Sequence, residues 1–102
     1  ITVEEAHSIL RSEAHCLLID VREPYEVEIC SIEGSVNIPL GQIPDRCESL
    51  PRDHTIFIHC HHGSRSLKAT QFLRSKGFKF ASNIMGGINA WAQKIDPSIR
   101  GY

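Results

Sequence analysis

The chain has 102 residues, 41% of them apolar and 23% charged, with a formal net charge of −1. This is the size and composition of one small globular domain, expected to span residues 1–102. It excludes a membrane span, since no apolar run nears about 18 residues, and nothing in the charge points to nucleic acid. No basic segment followed by an apolar stretch suggests a signal peptide, and a cytoplasmic protein is the expectation.

Taken in chain order, Thr2 with Glu5 makes a capping box, and Ala6, Ile9 and Leu10 fall on one face of a helix over 3–12. Residues 16–21, Cys-Leu-Leu-Ile-Asp-Val, form an apolar run interrupted only by an acid near its end, the pattern of a strand buried on both faces. Glu23-Pro24 opens a helix to about Cys30, with Pro24 at its first position. Ser35 to Pro39 reads as a short strand, and 41–49 as a short helix ahead of Pro51. Thr55 to Cys60 is the clearest strand, β-branched and aromatic. A helix follows with Ala69, Phe72 and Leu73 on one face and Gly77 as its stop. Phe80 to Met85 reads as a strand, Gly86-Gly87 ends it, and 88–94 forms a last helix whose Trp91 packs in the core. Strands alternating with helices predict an α/β domain with a mostly parallel sheet covered on both faces. Ligands of such sheets bind at the carboxyl ends of strands, where Asp20, Cys60 and Gly86 fall.

Charge is unevenly spread. Residues 1–51 carry 3 basic and 10 acidic side chains, residues 52–102 carry 8 basic and 2 acidic. The basic half holds Cys60, where a positive field would favour a small anionic substrate; interleaving of the halves in space would cancel it.

The spacings of Cys16, Cys30, Cys47 and Cys60 fit neither a disulfide framework nor paired zinc knuckles, which indicates a reducing compartment. Cys16 reads as a small buried hydrophobe, and Cys30 and Cys47 lie in helices without reactive context. Cys60 differs because it ends a buried strand and opens the loop Cys60-His61-His62-Gly63-Ser64-Arg65-Ser66 before a helix. The helix N-terminus and successive loop N–H groups favour thiolate over thiol. Gly63 permits a tight turn, Arg65 supplies positive charge and Ser66 can cap the helix. The plain alternative is a structural cysteine in an ordinary strand-to-helix loop; the five residues that follow it favour the reactive reading. His61 and His62 can hold an anionic donor when protonated or stay as solvent-exposed loop residues. His59 and His61 flank Cys60 and do not converge with it, so no metal and no cofactor are expected.

Asp20-Val21-Arg22 with Glu26, Val36 through Leu40, Ile56 through Ser66, and Gly86-Gly87-Ile88 with Trp91 together resemble the rhodanese-like family over nearly the whole chain. Residues 60–66 resemble the active loop of bacterial single-domain rhodaneses. Residues 95–102 resemble the end of that subgroup, which also occurs fused to adenylyltransferases of sulfur-carrier pathways. Two departures stand out. The segment Ser31-Ile32-Glu33-Gly34-Ser35-Val36 lacks the family's usual histidine and proline, and the chain begins where the family's first short strand lies.

The resemblance implies a three-layer domain with a five-stranded sheet, and a thiosulfate sulfurtransferase working through a Cys60 persulfide. His61, His62, Gly63, Ser64, Arg65 and Ser66 would bind the small anionic sulfur donor. A thiol, cyanide or a sulfur-carrier protein would accept the sulfur. Arg22 would form a structural ion pair with Asp20 or Glu26. Two rival readings remain. One is a non-catalytic docking or regulatory module of the same family. The other is a cysteine phosphatase or arsenate reductase of similar fold, whose loops place five residues between Cys and Arg; here four, His61 to Ser64, separate Cys60 from Arg65.

Overall fold

The computed structural model describes all 102 residues. Four parallel strands make one sheet: β1 (Cys16–Asp20), β2 (Val36–Asn37), β3 (Thr55–His59) and β4 (Ala81–Asn83), in the order β2-β1-β3-β4. Five helices surround it: α1 (Val3–Ser12), α2 (Pro24–Ile29), α3 (Ile43–Arg46), α4 (Ser64–Ser75) and α5 (Gly87–Lys94). Short 3₁₀ turns at Leu40–Gln42 and Cys47–Ser49 flank α3, so the expected single helix over 41–49 is a broken one.

The alternation of strand side chains divides the core in two. Ile19, Ile56 and Ile58 face one side with Ile43, Ala69, Leu73 and Phe78. Leu18 and Phe57 face the other with Val3, Ala6, Ile84, Ile88 and Trp91. The strands therefore lie between a layer built on α3 and α4 and a layer built on α1 and α5. Burial on both faces explains why β1 and β3 read as continuous apolar runs. Trp91 is 5% exposed and sits in this core as expected.

The helix ends follow their sequence signals. Thr2 and Glu5 exchange both capping-box hydrogen bonds at 3.1 Å, and Pro24 starts α2. Gly77 takes φ +95° after α4, where its N–H bonds to the Arg74 carbonyl and the Phe78 N–H to that of Leu73. These two bonds cap the last carbonyls of the helix in a Schellman motif.

The sheet has four strands rather than the expected five. A single residue occupies the fifth position: the Ile1 ammonium donates to the Asn83 carbonyl at 3.0 Å, and the Ile1 carbonyl accepts from Met85 N–H at 2.9 Å. One residue makes two ladder bonds but no strand. β2 is also shorter than the reading of 35–39, yet Ile38 N–H still bonds the Asp20 carbonyl, so pairing with the β1 segment runs on to the proline. No helix is long and apolar enough to cross a membrane.

Candidate active site

β3 ends at His59, one residue before Cys60, and α4 begins at Ser64. The intervening turn is tight because Gly63, the N-cap of α4, takes φ +116°, a conformation other residues rarely adopt. Ser64, Arg65 and Ser66 therefore form the first turn of α4, and their N–H groups are among those a helix leaves unpaired. The turn wraps the cysteine. Cys60 Sγ accepts hydrogen bonds from Gly63 N–H at 3.1 Å, Ser66 N–H at 3.4 Å and the Ser66 hydroxyl at 3.4 Å.

Burial opposes ionisation of this thiol, which is only 1% exposed. The Ser66 hydroxyl and the N–H groups of Ser66, Gly63 and Arg65 outweigh that penalty and bring the thiol below its ordinary value. Cys16 moves the opposite way, raised by burial and by the nearby charge of Glu13. Of these two shifted thiols, only Cys60 has donors gathered on its sulfur.

The loop is held from outside by α5. Ile88 N–H donates to the Cys60 carbonyl at 2.9 Å and Asn89 N–H to the His61 carbonyl at 3.1 Å. Gly87 is needed for this approach: a Cβ there would collide with the Cys60 carbonyl oxygen and come within 2.6 Å of that of His61. With its carbonyls turned outward to α5, the loop is free to present N–H groups inward to sulfur.

Arg65 and Glu26 meet face to face, with Nη1 to Oε1 at 2.6 Å and Nη2 to Oε2 at 3.0 Å. The loop's arginine is thus a paired cation, and the basic second half of the chain meets the acidic first half here. Glu26 is held down to about 2, chiefly by Arg65. Arg22 pairs with Asp20 rather than Glu26, its Nη2 lying 2.6 Å from Asp20 Oδ2, and neither side chain has meaningful exposure.

The histidines separate. His59 is fully buried, its Nε2 is 3.0 Å from the Ser35 hydroxyl, and burial holds it down to about 4, so it is neutral near pH 7. Ser35 belongs to the segment that lacks the family's usual histidine and proline. The His61 ring stacks on Tyr102 with centroids 4.0 Å apart and planes at 8°, and leans on His62 at 4.0 Å. Burial, with the neighbouring His62, lowers the His61 imidazole below its ordinary value, which disfavours a standing charge on it. His62 and Ser64 are exposed at the rim.

Sequence reasoning missed two residues that shape the site. The Asn83 side chain at the end of β4 contacts both Ser66 and the Gly63 carbonyl. Tyr102 donates to Glu26 Oε2 at 2.7 Å and accepts from Arg22 Nη1 at 2.9 Å, tying the end of the chain to both ion pairs. Asn83 carried no signal beyond its place in a strand, and Tyr102 none beyond the likeness of the tail.

The rhodanese-like domain profile matches residues 2–94. The chain belongs to the rhodanese-like domain family. It is 42% identical over 109 residues to the rhodanese-like/PpiC domain-containing protein 12, chloroplastic, of Arabidopsis thaliana, matching 100% of this chain and 36% of that protein. It is 36% identical over 77 residues to a sulfurtransferase of Allochromatium vinosum, matching 76% of this chain and 72% of that protein. A rhodanese-related protein from Thermoplasma volcanium superposes with TM-score 0.84 at 30% identity, covering 93% of this chain and 91% of the other. The rhodanese-like chain thus spans about a third of the plant relative and most of the two microbial proteins.

Proposed function

We propose that this rhodanese-like domain is a sulfurtransferase that carries sulfane sulfur on Cys60. The observation that carries the reading is the convergence of Gly63 N–H, Ser66 N–H and the Ser66 hydroxyl on one cysteine sulfur at the start of a helix. The sulfurtransferase relative of comparable length supports the same class of chemistry.

With thiosulfate as donor, the Cys60 thiolate attacks the outer sulfur. The Cys60–sulfur bond forms as the bond to the sulfite group breaks, and the electron pair leaves with sulfite. The negative charge then rests on the outer sulfur of the persulfide. N–H groups of residues 61–66 would stabilise that charge as an oxyanion hole does. An acceptor thiolate, or cyanide, attacks the outer sulfur and returns Cys60 as the leaving thiolate. In this scheme His61, His62, Gly63, Ser64 and Arg65 line the approach to the cysteine, and Ser66, fully buried, binds the sulfur from within. The four-residue spacing from Cys60 to Arg65 suits a sulfur atom better than a tetrahedral phosphoryl group. A small thiol or a sulfur-carrier protein is the proposed acceptor, in a reducing compartment such as the cytoplasm.

Two-step covalent transfer predicts ping-pong kinetics in a thiosulfate:cyanide assay, with parallel double-reciprocal lines, and no turnover by Cys60→Ser. Turnover retained by Cys60→Ser would exclude the reading.

A further inference from the structure

The Ser66 hydroxyl has two claimants and one proton. Its Oγ lies 2.5 Å from Asn83 Oδ1 and 3.4 Å from Cys60 Sγ. The Asn83 side chain is oriented by its other contact: Nδ2 donates to the Gly63 carbonyl at 3.3 Å, and a flipped amide would set oxygen against oxygen there. Oδ1 therefore faces Ser66, and as a pure acceptor it requires the hydroxyl proton. With Cys60 neutral, one chain satisfies every group: the thiol donates to Ser66 Oγ, and Ser66 donates to Asn83. With Cys60 ionised, the sulfur has no proton to give and itself needs the Ser66 proton. Ser66 is fully buried, so water does not supply a replacement to it.

We infer that Asn83 is a positioning residue that competes with Cys60 for the Ser66 proton and so restrains the bare thiolate. The inference rests on Cys60 being the reactive thiol of the proposed function, and it adds a direction to the cycle. Once the inner sulfur is bonded to an outer one, the charge moves outward, and the Ser66 proton can return to Asn83. Asn83 thus disfavours the empty ionised site relative to the loaded one.

Other ionisable groups near Cys60 and Asn83 leave this competition intact, the Ile1 ammonium binding the Asn83 backbone carbonyl and not its side chain. Asp20 and Glu26 are neutralised by Arg22 and Arg65, and Tyr102 bridges the two pairs. His59 on β3 faces Ser35, and His61 and His62 lie against each other. None of them contacts Ser66 Oγ or Asn83 Oδ1 by hydrogen bond, and α5 offers the loop only backbone N–H groups.

The test is the pH dependence of Cys60 alkylation by iodoacetamide, followed by peptide mapping, in a double-mutant cycle. Asn83→Leu should lower the midpoint by about one pH unit, roughly tenfold more thiolate well below it, because the freed hydroxyl donates to sulfur. Ser66→Ala should raise the midpoint. In the Ser66→Ala background, Asn83→Leu should shift the midpoint much less, since only its contact with the Gly63 carbonyl is then left to act. Equal shifts in both backgrounds, or a rise in the single variant, would overturn the inference. If Asn83→Leu does not fold, Asn83→Asp serves: its stronger acceptor should raise the midpoint, and by more with Ser66 present than absent. An equal rise in both backgrounds would contradict it. A Cys60 that is not alkylated anywhere between about pH 5 and 10 would overturn the underlying reading of the cysteine instead.

Discussion

Arg65 grips Glu26 through two hydrogen bonds, of 2.6 and 3.0 Å, and so joins the first turn of α4 to α2 across the mouth of the active loop. A guanidinium committed this way offers little free charge to a donor anion. In the proposed function, attraction of the donor would then fall mainly to the N–H groups of the loop.

Replacing Arg65 should therefore cost stability as well as activity. Glu26 has a side chain only 6% exposed, while that of Arg65 is 34% exposed, so Arg65→Ala should lose about 1–2 kcal/mol in denaturant unfolding. The acid limb should change too. Glu26 titrates near 2 in the folded state against an ordinary 4.5, so its contribution is complete above about pH 4.5 and is lost as pH falls towards 2. Arg65→Ala should flatten stability over that window. A variant with parental stability and a raised KM for thiosulfate would show that Arg65 acts as a loop cation alone.

Gly87 should be the least replaceable glycine of the site. It takes φ +56°, and a side chain would meet the Cys60 and His61 carbonyls. Gly34 also has positive φ, +85°, but open space around it. Gly34→Ala should cost about 1 kcal/mol, the backbone penalty alone, and leave activity intact. Gly87→Ala should cost at least about 1–2 kcal/mol more and lower kcat, because the loop must shift to admit the methyl group. Equal losses for the two variants would mean that α5 does not hold the loop.

Cysteine labelling tests the local field. Cys60 should react with iodoacetamide first at pH 7 despite its burial, because its donors favour thiolate. Cys16, raised by burial and Glu13, should lag and then gain on it as pH rises. Preferential labelling of Cys16, Cys30 or Cys47 at pH 7 would show that access, rather than ionisation, decides.

Tyr102 should set the state of His61. The ring stacked on His61 helps to bury it, and burial is the main cause of its lowered imidazole value. Tyr102→Ala should move His61 back towards an ordinary 6.5, read by NMR titration. Tyr102→Phe keeps the stack and should leave His61 in place, while losing the hydrogen bonds to Glu26 and Arg22. An identical His61 titration in parent and Tyr102→Ala would remove the stack from the account.

Much of this was readable from local chemistry. The apolar runs of β1 and β3 give parallel strands because both of their faces are buried, and Thr2, Pro24 and Gly77 mark helix ends by bonds that act over a few residues. The Cys60 loop was readable for the same reason, since its donors lie within six residues of the sulfur. What could not be read are pairings that close across the chain. Arg65 finds Glu26 at a distance of 39 residues, Tyr102 finds it at 76, and Ser66 finds Asn83 at 17. Nothing in a polar residue's immediate neighbours says which distant partner the topology will bring to it. The likeness implies five strands and the sheet described has four, with Ile1 making the two ladder bonds on that edge of β4.

The most direct test of the central claim is the intact mass of the protein after thiosulfate treatment without an acceptor. A gain of one sulfur atom is expected, lost again on adding cyanide or dithiothreitol, absent in Cys60→Ser and retained in Cys16→Ser. Mercaptopyruvate and a protein persulfide would be tried as further donors if thiosulfate fails. A protein that takes up no sulfur from any of the three would contradict the account, and the domain would then be better described as a docking module that keeps its cysteine without using it.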